Sequence, residues 1–284
     1  MLTPQDWKDY VLLDAGGGEK VELWGDIKVV RPDPQAIWPR TNPEAWKNPH
    51  MYYHRSKSGG GQWEKLKPTP EAWEISYGEL RFHIRPTGFK HMGLFPEQAV
   101  NWDWMINKIK TAGRPIKILN LFAYTGGASV ACLSAGASIV HIDAAKGMNA
   151  WAKDNIVLSG LGDASHRIMA DDVMKFVQRE SRRGNCYDGI IMDPPVFGRG
   201  PKGELWKLEE RLHELVAATA SILSADPLFM LINGYTAGLS PAVYGNILSL
   251  VMKTFSGGTS FGEVGLQACS GIVLPCGMYA RWEV

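Results

Sequence analysis

The chain has few cysteines and no long apolar run. Its four cysteines, Cys132, Cys186, Cys269 and Cys276, show no C-x-x-C spacing, which argues against structural zinc and against a disulfide framework. No apolar stretch approaches the ~20 residues that cross a bilayer, and the first residues lack the basic start and apolar core of a secretory signal. These absences predict a cytoplasmic protein without a membrane partner or a metal site.

The composition has no strong excess of either charge. A formal net charge of +1, with 45% apolar and 21% charged residues, is ordinary for a packed protein and neither requires nor excludes a nucleic-acid partner. The sharper asymmetry is local, because six Lys/Arg and two Glu residues lie between Arg40 and Lys67. They alternate with four aromatic residues, Trp46, Tyr52, Tyr53 and Trp63. This stretch could bind phosphates and stack on unpaired bases, or its rings could fold back on the core.

The first part of the chain predicts β-structure. Tyr10–Asp14 and Lys20–Trp24 flank the glycines at 16–18, which is a hairpin signal, and Asp26–Arg31 extends the pattern. Residues 32–72 are rich in proline and have few periodic apolar positions, so we expect an irregular connection there. A second hairpin is predicted over Trp73–Ser76 and Glu79–Arg85.

After Gln98 the pattern changes to alternating strands and helices. We expect a helix over Ala99–Lys110 and then strands at Ile116–Leu121, Ser138–Ile142, Arg167–Met169, Gly189–Met192 and Leu228–Ile232, with a closing pair at Gly262–Cys269 and Met278–Val284. Further helices are expected at Ala128–Ala135, Gly147–Leu158, Val173–Arg182 and Leu205–Leu223, the last with Trp206 on its packed face. Such alternation builds a parallel sheet with helices on both faces, and ligands bind at the carboxyl ends of its strands.

Those carboxyl ends carry unusual residues. The first strand runs into Asn120–Gly127, where glycines between a strand and a helix let the backbone approach an anionic group. The second strand ends at Asp143, whose oxygens suit a ribose diol. The third leads into Asp171 and Asp172, one of which can accept from an adenine amine while the other caps the next helix. Each feature alone indicates a turn, a strand end or a cap, but their order favours a ligand with ribose and adenine groups.

The glycine run differs from a dinucleotide fingerprint. Gly126 and Gly127 are followed by Ala-Ser-Val-Ala, without the third glycine of G-x-G-x-x-G. The fourth strand ends in Asp-Pro-Pro-Val-Phe (residues 193–197), where two prolines remove backbone donors and leave carbonyls and a ring toward the cleft. This surface favours a flat group with N–H donors, such as a base. In the next loop, Arg199 and Lys202 are candidates to hold substrate phosphates, with a solvated turn as the alternative.

Together these motifs resemble those of a known family. Asn-Leu-Phe-Ala-Tyr-Thr-Gly-Gly, Ala-Asp-Asp-Val and Asp-Pro-Pro-Val-Phe are similar to motifs of the class I S-adenosylmethionine-dependent methyltransferases related to the large-subunit (23S) ribosomal RNA methyltransferases, which include cytosine-C5 and guanine enzymes. Gly88–Gln98 resembles that family's segment over the cofactor, and Leu274–Tyr279 resembles its closing hairpin. The resemblance implies an α/β fold with a Rossmann-like sheet over 87–284, mostly parallel with an antiparallel closing strand, after a small β-rich domain over 1–86.

The resemblance also implies roles for individual residues. The methionine end of S-adenosylmethionine would be lined by Phe122, Tyr124, Thr125, Gly126 and Gly127. The ribose would be bound by Asp143 and Ala144, the adenine region by Asp171 or Asp172, and the whole site would be covered by Phe95. The target base would be faced by the catalytic group Asp193, Pro194 and Phe197.

The stretch after the fifth strand bears on which atom is methylated. Cytosine-C5 members of the family carry a cysteine there, because C5 is not nucleophilic until a thiolate adds to the ring, whereas this chain has Asn233-Gly234-Tyr235-Thr236. We therefore expect S-adenosylmethionine-dependent methylation of a base nitrogen, with RNA, and ribosomal RNA in particular, as the partner. The alternatives are a protein side chain or small molecule as acceptor, an RNA-binding protein without catalysis, and last a nucleotide-dependent oxidoreductase.

Overall fold

The backbone forms two compact units. The computed structural model describes residues 1–56, 60–199 and 205–284. One unit comprises Met1–Val100 with Val264–Cys276, and the other Asn101–Glu263 with Gly277–Val284, which differs from the expected ranges 1–86 and 87–284. Backbone bridges join Leu2 to Val264 and Leu12 to Ala268 within the first unit, and this pairing between remote residues is why a tail segment belongs to it.

The first unit is built on a five-stranded sheet and a separate hairpin. The sheet strands are β1 Tyr10–Gly16, β2 Glu19–Trp24, β3 Ile27–Pro32, β4 Met51–Arg55 and β5 Gly61–Lys65, and the hairpin strands are β6 Trp73–Tyr77 and β7 Leu80–Ile84. The strand order in the sheet follows the chain, and each neighbouring pair is antiparallel except the parallel pair β3 and β4. Both predicted hairpins are confirmed.

The expectation of an irregular connection over residues 32–72 is wrong for its second half. β4 pairs with β5 along its length and joins the sheet through Val29↔Met51 and Val30↔Tyr52. β5 exposes most of its residues, so its own hydrophobic pattern is weak. Pairing with a strand about twenty residues earlier decides the structure here, and that pairing has no local signal.

The rest of the chain alternates helices and strands. In chain order the elements are α1 Ala99–Thr111, β8 Lys117–Leu121, α2 Gly127–Ser134, β9 Ser138–Asp143, α3 Lys146–Leu158, β10 His166–Ala170, α4 Val173–Arg183, β11 Gly189–Met192, β12 Phe197–Arg199, β13 Leu205–Lys207, α5 Leu208–Ala220, β14 Phe229–Gly234, α6 Pro241–Val251, β15 Gly258–Gln267 and β16 Val273–Glu283. Short 3₁₀ turns lie at Pro96–Gln98 and Met252–Thr254. Within the described ranges, no helix is long and apolar enough to cross a bilayer.

The main sheet has the expected topology. Its strand order is β10-β9-β8-β11-β14-β16-β15, the first five of these strands are parallel, and β16 is antiparallel to β14. β11 and β14 are buried along their whole length, because central parallel strands have helices on both faces. The mostly parallel sheet with an antiparallel closing strand is therefore confirmed, and it brings the ends of β8, β9, β10, β11 and β14 to one edge.

Two helix predictions need correction. The helix expected over Leu205–Leu223 begins at Leu208, because residues 205–207 form β13 and pair with β12, and it ends at Ala220. A helix over Pro241–Val251 was not predicted. Its signals were a proline in the first turn and the apolar pair Tyr244 and Leu248, both fully buried at i, i+4 spacing.

A buried carboxylate organises the loops of the first unit. Asp14 has no solvent exposure, and its oxygens accept from the N–H and hydroxyl of Thr41 at 3.0 and 2.7 Å, the N–H of Asn42 at 3.0 Å and Nε1 of Trp46 at 2.7 Å. Burial alone would raise the pKa of Asp14, but the hydrogen bonds from Trp46, Thr41 and Asn42 outweigh it and lower the pKa below its ordinary value. The loop after β3 is thus held by one ionised group.

Replacing Asp14 by Asn should destabilise the protein by about 2–4 kcal/mol at pH 7, because an amide cannot accept all of these hydrogen bonds. Since the folded-state pKa is depressed, this stabilisation is present above the unfolded pKa of about 4 and is lost as the pH falls below it. Urea unfolding of both proteins between pH 3.5 and 7 measures the difference, with exposed Asp6→Asn as the matched control. A difference that does not shrink toward pH 3.5 would contradict this account.

Candidate active site

The backbone that leaves β8 turns through an unusual conformation. Phe122, Tyr124 and Gly126 have φ angles of 54°, 51° and 85°. Left-handed backbone costs a residue with a side chain about 1–3 kcal/mol and persists only where the surroundings hold it. We call residues 122–127 the glycine loop, and its shape must come from its contacts.

Asp143, at the end of the neighbouring strand β9, holds the glycine loop. Its Oδ2 accepts from the N–H of Tyr124 at 2.9 Å, and its Oδ1 accepts from the N–H of Ala145 at 2.8 Å. From α3, the side-chain amide of Asn155 donates to the carbonyl of Thr125 at 2.8 Å. The loop is therefore tied to β9 and α3.

A buried polar network supports the same loop from below. Asn120 on β8 donates to the hydroxyl of Ser129 on α2 at 2.9 Å, and that hydroxyl lies 3.0 Å from Nδ1 of His141 on β9. Burial lowers the pKa of His141 to about 4, so its imidazole is neutral at pH 7. These side chains join the two strands and the helix that flank the glycine loop.

Gly126 has two reasons to be glycine. It takes up left-handed backbone at the start of α2, and a Cβ at this position would lie 2.9 Å from the Cβ of Ala152 on α3. Because Gly126 has no side chain, nothing from this residue covers the amino end of α2. Free N–H groups and the helix dipole favour an anionic group at such an end, which fits the carboxylate of an amino-acid ligand.

The end of β10 brings two further carboxylates to this edge. The N–H of Asp171 donates to the carbonyl of Asp143 at 3.3 Å, and the carboxylate of Asp171 pairs with Arg179. Asp172 is the N-cap of α4 and accepts from the N–H of Lys175 at 2.9 Å. Asp172 thus has the capping role expected for one of the two, and Asp171 is the carboxylate that adjoins Asp143.

The loop after β11 starts beside the glycine loop. β8 and β11 are parallel neighbours with Leu121 opposite Met192, and the N–H of Asp193 donates to the carbonyl of Leu121 at 3.4 Å. Asp193 is half-buried, Pro194 is buried, and Phe197 is 57% exposed. A carboxylate and an open aromatic ring therefore follow β11 at the edge where the glycine loop follows β8.

Trp206 belongs to this site, although the sequence pattern placed it on a helix. It lies on β13, where its Nε1 donates to the carbonyl of Pro195 at 2.6 Å and its ring centroid is 6.0 Å from that of Phe122. Trp206 thus fixes the double-proline bend beside the glycine loop. The carbonyl of Pro195 already has a donor, so it is less available to a substrate than expected. A three-residue strand has no periodic signal, which is why sequence analysis missed this residue.

Comparison with known proteins identifies the family of this chain. Residues 41–230 match the family model described as S-adenosylmethionine-dependent methyltransferase. The chain belongs to this methyltransferase family. S-adenosylmethionine is therefore its cofactor, and the bare amino end of α2 with the carboxylates of Asp143 and Asp171 has the chemistry to bind a molecule with carboxylate, ribose and adenine parts.

Curated relatives of the methyltransferase carry ribosomal names. The ribosomal RNA large subunit methyltransferase K/L of Shewanella baltica strain OS195 is 33% identical over 177 residues, which are 61% of this chain and 24% of that protein. The protein of the same name from Syntrophotalea carbinolica is 29% identical over 183 residues, which are 64% of this chain and 25% of that protein. The methyltransferase thus spans about a quarter of the length of these relatives.

Solved structures share the fold of the methyltransferase. The SAM-dependent methyltransferase of Agrobacterium tumefaciens superimposes with a TM-score of 0.94 at 39% identity, covering 99% of this chain and 92% of that one. A SAM-dependent methyltransferase of Streptococcus mutans gives a TM-score of 0.78 at 17% identity, covering 99% and 76%, and shows the fold alone. The expected Rossmann-like α/β fold with an N-terminal β-rich part is confirmed.

The remaining predicted site residues of the methyltransferase lie in different places. Gly127 is the first residue of α2, and Ala144 is exposed after β9. Phe95 belongs to the first unit, where its ring centroid is 5.3 Å from that of His91. Arg199 ends β12, and Lys202 lies outside the described residues. Their roles toward cofactor and substrate stay predictions.

The aromatic residues between Arg40 and Lys67 pack within the first unit. Trp46 donates to the buried carboxylate described above, and the guanidinium of Arg40 lies 3.8 Å from its ring centroid. Tyr53 is buried, its ring centroid is 5.1 Å from that of Trp63, and Nε1 of Trp63 donates to a backbone carbonyl at 2.8 Å. These contacts favour the alternative in which the rings fold back on the core.

Gly126→Ala should abolish cofactor binding by the methyltransferase, because the added Cβ meets Ala152 and the left-handed backbone is strained. Saturating S-adenosylhomocysteine should raise the Tm of the wild type by about 5 °C and leave the variant unchanged. Gly136→Ala is the matched control, since Gly136 also has left-handed backbone, with φ 91°, but nothing within 4 Å of a Cβ. A full thermal shift in Gly126→Ala would rule out this loop as the cofactor cradle.

Proposed function

We propose that the protein transfers a methyl group from S-adenosylmethionine to a base nitrogen of RNA. One observation carries this proposal. The glycine loop and residues 193–196, which we call the Asp193 loop, leave adjacent parallel strands and are joined where the N–H of Asp193 donates to the carbonyl of Leu121. Neighbouring strands are about 4.8 Å apart, so a cofactor on the first loop and an acceptor on the second are held side by side.

The proposed cofactor site follows the ends of β8, β9 and β10. The amino end of α2 behind Gly126 receives the methionine carboxylate, Asp143 receives the ribose hydroxyls, and Asp171 faces the adenine. Asp143 already accepts two backbone N–H groups, and an ionised carboxylate offers about four lone-pair sites, so ribose hydroxyls can share it. When bound, S-adenosylmethionine supplies a methyl group activated by its positive sulfur.

The Asp193 loop has the properties of a base-binding surface. The carboxylate of Asp193 can accept from an N–H of the base, and the exposed ring of Phe197 can stack on the face of the base. Pro194 is buried and has no backbone N–H, so it offers no donor that would compete with the base for that carboxylate. The acceptor nitrogen would form a bond to the methyl carbon as the carbon–sulfur bond breaks and S-adenosylhomocysteine leaves, and its proton would pass to Asp193 or to solvent. The protein chiefly aligns the reactants, which can lower a barrier by ~7–11 kcal/mol.

The cysteines argue for a nitrogen over C5 of cytosine. Burial raises the pKa of the Cys132 thiol. Burial, aided by the charge of Glu97, raises the pKa of the Cys276 thiol well above its ordinary value. Cys132 is buried and Cys276 is partly buried, and a thiol that stays protonated is a poor nucleophile. The end of β14 carries Asn233 and Gly234 instead of a cysteine, and a nitrogen acceptor needs no thiol adduct.

The choice of RNA rests on the names of the relatives. The two relatives called ribosomal RNA large subunit methyltransferase K/L that are described above match 61% and 64% of this chain, and ribosomal RNA is therefore the substrate to test first. We accordingly place the reaction in the cytoplasm. In this proposal, Arg199 and Lys202 would bind phosphates of the RNA.

Purified protein should transfer radiolabelled methyl groups from S-adenosylmethionine to total RNA of cells that lack it, and nucleoside analysis should recover the label in an N-methylated nucleoside. Gly126→Ala serves as the inactive control, and RNA from cells that contain the protein serves as the control for a site already methylated. If the label appeared in ribosomal protein or in small molecules and none appeared in RNA, the methyl acceptor would be one of those and not RNA.

Replacing all four cysteines by serine should leave the rate of methyl transfer within about threefold of the wild type once folding is verified by thermal melting, because no thiol takes part. The single variant Cys276→Ser tests one of the two thiols whose pKa is raised. Loss of transfer in a folded Cys276→Ser protein would reinstate covalent chemistry.

A further inference from the structure

A chain of hydrogen bonds reaches the end of β14 from α1 and β16. Arg281 donates to Oδ1 of Asn101 through Nε at 3.0 Å and Nη2 at 2.5 Å. Nδ2 of Asn101 then donates to Oδ1 of Asn233 at 3.1 Å. All three side chains are buried. We call this chain the Arg281 relay.

The chemistry of arginine fixes the direction of the relay. A guanidinium has donors and no acceptor, so Asn101 must turn its oxygen toward Arg281 and its NH₂ group toward Asn233. Asn233 must then turn its oxygen toward Asn101. Its NH₂ group takes no part in the relay and points away from Asn101. The orientation of an amide at the edge of the sheet is therefore set by a cation two side chains away.

Arg281 keeps its charge although it is buried. Burial lowers its pKa to about 10, which leaves the guanidinium protonated at pH 7. Its central carbon lies 4.6 Å from the ring centroid of Trp104 and 4.8 Å from that of Tyr279, and aromatic faces stabilise a cation at such distances. Arg281 therefore remains a protonated hydrogen-bond donor to Asn101 at physiological pH.

The other end of the relay adjoins the Asp193 loop. β11 and β14 are parallel with Met192 opposite Ile232. The next residues, Asp193 just after β11 and Asn233 near the end of β14, therefore lie at the same level and on the same face. Asn233 is 5% exposed. An NH₂ donor of fixed orientation therefore lies near the end of β14, at the level where the carboxylate of Asp193 follows β11.

Packing on the opposite face keeps this strand end in place. A Cβ on Gly234 would lie 2.4 Å from the hydroxyl oxygen of Tyr244 on α6, so the ring end of Tyr244 rests against the backbone of Gly234. Tyr244 is fully buried. With Tyr244 on one face and the relay on the other, Asn233 has little freedom to move.

We propose that Asn233 is a substrate-binding residue whose NH₂ group donates to a carbonyl oxygen of the methyl acceptor, with Asn101 and Arg281 as positioning residues that set its polarity. This inference rests on the proposed function. Asp193 accepts an N–H of the acceptor and Asn233 donates to a neighbouring carbonyl, so the pair fixes which edge of the base enters. A base turned over would place its carbonyl against the Asp193 carboxylate.

Two isosteric variants test the relay. Asn233→Asp keeps the oxygen that accepts from Asn101 and removes the donor to the substrate. Asn101→Asp keeps the acceptor for Arg281, as a buried ion pair, but its carboxylate can only accept, so the amide of Asn233 must turn its NH₂ group inward. Asn107→Asp, the same change at an exposed position of α1, is the matched control.

Both relay variants should lower kcat/KM for methyl transfer to total RNA by about 30- to 100-fold, as expected for a lost hydrogen bond to a reacting group. Their Kd for S-adenosylhomocysteine, measured by calorimetry, should stay within about twofold of the wild type, and Asn107→Asp should match the wild type in both assays. If Asn233 and Asn101 had only a structural role, their variants would lose cofactor binding and methyl transfer to a similar extent.

Proton exchange of the asparagine side chains gives a readout that needs no RNA. In protein labelled with ¹⁵N-asparagine, the NH₂ protons of Asn233 should exchange faster than those of Asn101 in the wild type and slow at least tenfold in Asn101→Asp. Unchanged exchange would overturn the relay. Slowed exchange with wild-type transfer would overturn the substrate role of Asn233. If the wild type transfers no methyl group to RNA, both the proposed function and the substrate role of Asn233 are wrong. The exchange measurement would still test whether Asn101 and Arg281 orient Asn233.

Discussion

The hydrogen bond from the Tyr124 N–H to the Asp143 carboxylate is the contact on which the rest of the site depends. It holds a backbone that takes left-handed φ angles at Phe122 and Tyr124, each of which costs about 1–3 kcal/mol without such support. Once this loop is fixed, α2 starts at Gly127, after an N-cap, Gly126, that has no side chain. The same carboxylate is the one proposed to bind the ribose, so the residue that holds the glycine loop would also contact the cofactor.

The second structural theme is the placement of buried polar groups at strand ends. Asn120 and Ser129 sit beneath the glycine loop, and Asn101 with Arg281 fixes Asn233 at the end of β14. A buried polar group without a partner costs about 1–3 kcal/mol, and these hydrogen-bonded chains avoid that cost for the groups that they join. These chains are rigid, and rigidity is what aligning a methyl acceptor requires.

The first unit uses its charges for its own architecture. Arg31 pairs with Glu22 at 2.5 Å and Lys20 with Asp33 at 3.1 Å, all four side chains being largely buried. Trp46 and Trp63 likewise donate to groups of this unit. Basic and aromatic residues that alternate in sequence therefore do not by themselves indicate a nucleic-acid surface, because a small β-rich unit needs the same residues to cover its core and anchor its loops.

The sequence by itself determined the alternation of strands and helices, the parallel sheet and the order of Gly126, Asp143, Asp171 and Asp193 at its edge, because hydrophobic periodicity and turn residues are local signals. It could not assign β4 and β5, whose pairing is remote, or place Trp206, whose three-residue strand has no period. Nor could it show that Asp172 is the cap and Asp171 the neighbour of Asp143, or that Arg281 orients Asn233. Those facts join residues up to 180 positions apart, and only the folded chain brings such groups within hydrogen-bond reach.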